Sequence, residues 1–215
     1  MPFRNFIFSL IILTVGCDSK NQKTLQLIDN NIVSIDSVIG NSIARQTHYN
    51  LAEINADDLY SLDSNSVKAL FNKRTITSDT SKFTLNYDAY SRYYLFDHVV
   101  LKDKFLFTII HNDEVGYNGL YQFVVDKKKN QICYADLIAI TGGDGGDYTN
   151  DSLIFNESGD KLTVISTSTY EDIGNGIFNT IQYDSIVRTF NFLLDKRLSK
   201  IIHNSSRVDT IVDSK

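Results

Sequence analysis

The chain has no tryptophan, one proline, one methionine and two cysteines among 215 residues. Two cysteines rule out a disulfide-stapled framework. The one proline is Pro2, so no later segment carries the residue that most often interrupts a sheet. Charge of one sign is also short. Lys and Arg number 21 against 26 Asp and Glu, a net charge of −5. No basic excess is available to neutralise a phosphate backbone, which excludes nucleic-acid binding as a main function. The chain contains no Gly-x-Ser-x-Gly, no His-Glu-x-x-His, no Gly-x-x-x-x-Gly-Lys and no Cys-x-x-Cys. No residue is therefore assigned a catalytic role. A length near one ordinary domain and 42% hydrophobic residues support a single packed core.

Long apolar runs are scarce too. Phe6 to Val15 holds the longest, with Arg4 before it. This is a positive n-region followed by an h-region too short to span a hydrocarbon core of about 30 Å. It ends in Thr14-Val15-Gly16-Cys17. A small residue and a Cys directly after an h-region resemble the bacterial lipobox, although Thr14 stands where that motif usually has Leu. The resemblance implies a signal peptide over 1–16, cleavage before Cys17 and acylation of the Cys17 thiol. It also implies a lipid-anchored place in the bacterial cell envelope; the outer membrane is favoured over the inner, although Asp18 after the cysteine reads as inner-membrane retention in enteric bacteria. Residues 17–31 then form the lipidated cysteine and a polar tether, and 32–215 a single domain.

Within that domain, Leu25, Ile28, Ile32, Ile35 and Ile39 share one helical face. Asp57 to Phe71 reads as one or two short helices with Asp57 and Asp63 as N-caps. A helical lead-in over 32–82 is expected. From Phe83 onward the composition is that of strands: rich in Ile, Val and Thr, with 13 Phe and 12 Tyr in the chain. Turns at 102–103, 126–130, 158–159 and 195–197 separate four hairpins. The fold class is mainly β: an antiparallel meander of about eight strands, as two stacked sheets or one curled sheet, with the helical region packed on it. Residues 121–132 lie faintly over 190–201, which suggests a repeated hairpin pair.

In the first hairpin, pairing Leu101 with Lys104 sets His98 against Phe107 and Tyr94 against His111. Both faces are then apolar, so both must be covered. Cys133 sits in an apolar run and reads as a buried, inert thiol.

Glycine and acid gather in one place. Nine of the 11 glycines lie between Gly116 and Gly176. Most belong to three connections, 112–118, 141–151 and 170–179, which a meander puts at one end of the sheet. That end carries Asp113, Glu114, Asp144, Asp147, Asp151, Glu171 and Asp172, with no Lys or Arg in those loops. Lys-rich turns occupy the other end. These seven acids are the candidate ligand-binding residues, and a basic protein or a cation is the partner they suit. Asp144, Asp147 and Asp151 supply oxygen ligands of the kind calcium takes, at a spacing unlike the EF-hand. No other cofactor is expected. With the lipobox, the layout resembles that of uncharacterised envelope lipoproteins and implies a non-enzymatic binding or structural module. The alternatives are an inhibitor of a cationic envelope-attacking enzyme such as a lysozyme, acting through the acidic loops, and a carboxylate-based hydrolase.

Overall fold

The computed structural model describes residues 34–71, 75–77, 82–84, 89–113, 116–129, 131–144, 146–173, 178–193 and 200–212. Cys17, the segments expected as signal peptide and tether, and Glu114 lie outside them.

The described chain opens with α1 (Ile35–Asn41), β1 (Ile43–Ala44) and β2 (His48–Asn50). Two 3-10 turns follow at Leu51–Glu53 and Ala56–Asp58, then β3 (Tyr60–Ser61), α2 (Ser64–Phe71), β4 (Thr75–Thr77) and β5 (Lys82–Thr84). The longer strands are β6 (Arg92–Val100), β7 (Lys104–Asn112), β8 (Asn118–Asp126), β9 (Gln131–Asp144), β10 (Asp147–Phe155), β11 (Lys161–Ile173), β12 (Phe178–Asn191) and β13 (Lys200–Val212).

All belong to one hydrogen-bonded sheet of 13 strands, running β1-β6-β7-β8-β9-β10-β11-β12-β13 with β2 to β5 as side branches. The fold is mainly β, as the composition implies. The sheet differs from the expected antiparallel meander of about eight strands in being larger and mixed. Short strands from the lead-in join it, and β1 pairs parallel with β6, as β4 does with β9. The lead-in is therefore not simply helical. It is a strap of two short helices, two 3-10 turns and short strands. Ser34 caps α1 by accepting from the Ser37 N–H at 3.0 Å. Asp63 caps α2, its Oδ1 accepting from the N–H groups of Asn65 and Ser66 at 2.9 and 3.0 Å. Asp57 is not a cap. Asn55 takes that role, accepting from the Asp57 N–H.

The sheet folds over on itself at β9 and β10, which share only the pairs 142–149, 143–148 and 144–147. Two cores result. One lies between the halves, where Phe96, Leu106, Ile110, Leu120 and Val124 meet Leu153, Phe155, Leu162, Val164 and Phe190. The other lies outside the first half. There Ile35 and Val38 of α1 and Val67, Leu70 and Phe71 of α2 cover Tyr93, Leu95, Phe105, Phe107 and Phe123. The β6–β7 hairpin is thus buried on both faces. His98 lies opposite Phe107, as its turn requires, but Tyr93 rather than Tyr94 meets His111. A bulge between Leu95 and His98 adds a residue on β6. One extra residue exchanges the faces of everything before it. Tyr93 and Leu95 therefore face the helices, and Phe96 faces the inner core.

Candidate functional site

Consecutive antiparallel strands bring the β7–β8, β9–β10 and β11–β12 connections to one end. Two glycines seal them together. Gly142 has φ +123°, and a Cβ there would overlap the Gly116 carbonyl oxygen. Gly146 has φ +101°, and its Cβ would stand 2.8 Å from the Glu171 carbonyl oxygen; the Gly146 carbonyl accepts from the Glu171 N–H at 3.0 Å. These positions need glycine for close approach of backbone to backbone.

The acids divide into distinct environments. Asp144 and Asp147 are paired across the β9–β10 turn and are exposed, as is Glu171. Asp113 is half-buried, and its Oδ1 accepts from the Tyr117 N–H at 2.8 Å, closing its own loop. The Asp172 backbone pairs with Thr180 in the β11–β12 hairpin. Asp151 is 1% exposed. Its Oδ2 accepts from the Ile140 N–H at 2.8 Å and from Arg188 Nη2 at 3.2 Å. Burial pushes the Asp151 carboxyl above its ordinary value, with hydrogen bonds and Arg188 pulling the other way. Asp151 is thus a buried half of an ion pair, separated from the exposed Asp144 and Asp147. Among the described residues no three His, Cys, Asp or Glu side chains converge as metal ligands.

The expected absence of bases at this end is corrected by the strands beside the loops. Arg188 reaches Asp151 from β12. Arg92 opens β6 opposite Asn112, and with Tyr90, Asn112 and Asp113 it lines an open hollow of about 520 Å³. Arg207 of β13 lies over the Tyr183 ring, 4.9 Å from its centroid. Loop sequence alone hides these side chains, because Arg92 and Arg207 come from strands that end there and Arg188 lies ten residues into β12, opposite Val164.

The second half of the sheet projects past the inner core at this end. On β11 the last inward side chain under cover is Ser166, and from Thr167 to Glu171 neither face is buried. Pairing aligns Tyr148, Thr169, Tyr183 and Arg207 across β10 to β13 on one face. Tyr170 stands on the other. Tyr148, Tyr170 and Tyr183 are 47%, 46% and 36% exposed.

At the opposite end the lysines join turns to one another. Lys127 Nζ donates to the Leu101 carbonyl at 3.0 Å, and Lys128 pairs with Asp103 at 3.1 Å. Cys133 is exposed rather than buried, with Lys104 Nζ 3.4 Å from its Sγ. It occupies an outward position near the start of β9, before that strand enters the core.

The most developed polar cluster is one the sequence reading missed. Asp97, Thr108, Gln122 and Asp136, each 0% exposed, occupy β6 to β9 in turn. Thr108 pairs with Gln122 and Gln122 with Asp136. Arg45, just after β1, enters this row. Its Nε and Nη2 hold the two Asp97 oxygens at 3.0 and 2.9 Å. Nη2 also reaches Gln122 Oε1 at 2.7 Å, and Nη1 the Gly159 carbonyl at 3.0 Å. The guanidinium lies over the Phe155 ring at 4.3 Å. Thr108 Oγ1 donates to Asp97 Oδ1 at 2.6 Å. Tyr49 closes the cluster, accepting from the Gln46 N–H at 2.6 Å, and burial raises its phenol above the ordinary range. One arginine therefore ties the strap, the first half of the sheet and the β10–β11 turn together. A signal for it exists: Phe105-to-Ile110 and Leu120-to-Val125 each carry a lone polar amide or hydroxyl side chain near mid-run, at Thr108 and Gln122, and Tyr93-to-Leu101 carries an acid mid-run at Asp97, beside His98.

Compared with known proteins, the chain matches no family model, no curated protein and no solved structure.

Proposed function

We propose that this chain is a bacterial envelope lipoprotein, held in the outer membrane by acyl chains on Cys17, whose folded part is a non-enzymatic binding module. Its binding surface is the loop end, where the sheet projects beyond its core. The observation that carries this reading is the set of exposed tyrosines, Tyr148, Tyr170 and Tyr183, on a projection that no core requires. Tyr and Arg are the side chains that protein interfaces favour. Arg207, Asp144, Asp147 and Glu171 give the surface charges of both signs, which suits a protein partner better than a lone cation. Asp151 contributes to holding β12 rather than to a ligand.

Exposed Asp144, Asp147 and Glu171 favour a second reading, inhibition of a cationic envelope-attacking enzyme. For that partner, Asp144→Asn with Asp147→Asn slows association and flattens its salt dependence.

Two measurements test the proposal. Metabolic labelling with an alkynyl fatty acid should mark the wild type and not Cys17→Ser; equal labelling of both overturns the anchor. A photo-reactive side chain at position 148, 170 or 183 should cross-link a discrete partner in intact cells, while one at 128 on the lysine-rich end should not. Equal capture at both ends, or none at any of the three, overturns the binding surface.

A further inference from the structure

β13 ends the strand order, and among the described residues nothing pairs with its outer edge. It is 13 residues long, and every residue from 201 to 208 is exposed. Natural edges are protected by prolines, inward charges, strong bulges or short length. β13 has no proline, and its pairing shift comes at Ile202, near its start, so the run from His203 to Val212 pairs regularly with β12. Such an edge is a template for another strand.

The strand itself specifies which strand. A two-fold axis through an antiparallel pair places one residue opposite its own copy, because opposed side chains must share a face. Each choice of central residue is a different register, and charge separates them. Centring on Arg207 opposes two arginines, and centring on Asp209 opposes two aspartates. Arg207 already holds Asp209 of its own strand at 2.7 Å; centring on Val208 sets it opposite Asp209 of the second copy as well, twice by symmetry, so the two pairs join in one alternating cluster. Opposite charges directly across a strand pair stabilise it, and like charges destabilise it. In that register Asn204 to Val212 overlap, and Val208, which is 57% exposed, meets its own copy.

We infer that this protein forms a two-fold dimer by antiparallel pairing of β13 with β13 of a second copy, centred on Val208. The interface is a single pair of strands, at the small end of specific interfaces. Dimerisation is therefore concentration-dependent. It shares Arg207 with the loop-end surface but requires neither that surface's partner nor the lipid anchor, so trapping at position 208 against 205 tests it apart from the proposed function.

Disulfide trapping in the full-length chain, expressed in membranes, tests the register. Cys133→Ser removes the exposed thiol and supplies the background. Adding Val208→Cys should give a cross-linked dimer under mild oxidation, since opposed residues have Cα atoms within disulfide reach. Adding Ser205→Cys instead should not, because those residues then lie six positions apart, about 20 Å along the strand. Arg207→Asp on the Val208→Cys chain should lower trapping about tenfold, and the exchange Arg207→Asp with Asp209→Arg should restore it. Positions 205 to 209 lie on an exposed edge, and an unchanged far-ultraviolet circular dichroism spectrum confirms that each variant folds. No trapping at 208, equal trapping at 205 and 208, or a charge exchange that fails to restore trapping overturns the inference.

Discussion

Replacing Arg45 with Met keeps most of the aliphatic stem and removes every donor. Arg45 is 2% exposed at its side chain and Asp97 0%. Removing one member of a pair buried so deeply leaves an uncompensated charge, a loss of about 3–5 kcal/mol. The Gln122 Oε1 and the Gly159 carbonyl lose their donor as well, which places the loss toward the upper end of that range. For a domain of this size, about 2–4 °C per kcal/mol converts it to a fall in melting temperature of about 6–20 °C. With no tryptophan in the chain, urea unfolding is followed by far-ultraviolet circular dichroism. The midpoint should fall while the slope with urea stays constant. A second variant separates charge from packing. Arg45→Met combined with Asp97→Asn removes the orphaned charge but restores no packing, so about 1–3 kcal/mol should return. A loss below about 1 kcal/mol for Arg45→Met, or a double variant no more stable than the single, would refute the assignment of Arg45 as the tie between strap and sheet.

Asp63→Ala should cost about 1 kcal/mol by uncapping α2, measured as the shift in urea midpoint. The Ser66 hydroxyl and the backbone N–H groups of Ser66 and Asn65 lower the Asp63 carboxyl. Its stabilisation is therefore present above the ordinary carboxylate range and lost as pH falls through the lowered value, so wild type and variant should converge in acid. Gly142→Ala should cost about 2–5 kcal/mol, from a left-handed backbone and the overlap with Gly116, read as a drop in melting temperature; an unchanged value would show that the β7–β8 loop does not rest on β9.

Much of the strand layout was legible because its causes are local. Apolar runs and polar turns mark β6 to β8 closely, whereas most of the stretch 141–151, and the ends of 170–179, which read as connections, prove to be strand in β9 to β12. The pairing of Leu101 with Lys104 places His98 opposite Phe107, and two apolar faces on that hairpin require two covers. Side-chain period and turn chemistry act over a handful of residues, so they survive in the linear sequence. The charge of the loop end was less legible. Asp144, Asp147, Asp151 and Glu171 come from stretches that read as loops but sit on β9, β10 and β11, and Arg92 and Arg207 arrive on strands whose ends only the sheet order brings there.

Other features belong to the tertiary structure alone. The bulge between Leu95 and His98 has no glycine or turn signal, and it reverses which tyrosine faces the helices. Arg45 and Asp97 stand 52 positions apart, and Asp151 and Arg188 stand 37 apart. Neither pairing has a local signature, because ionic partners are chosen by distance after folding. The amino-acid sequence determined a β-rich chain with polar turns and acid-rich stretches between its apolar runs. Packing decided which of those acids face water, since a carboxylate taken out of solvent persists only beside a positive charge or an array of donors.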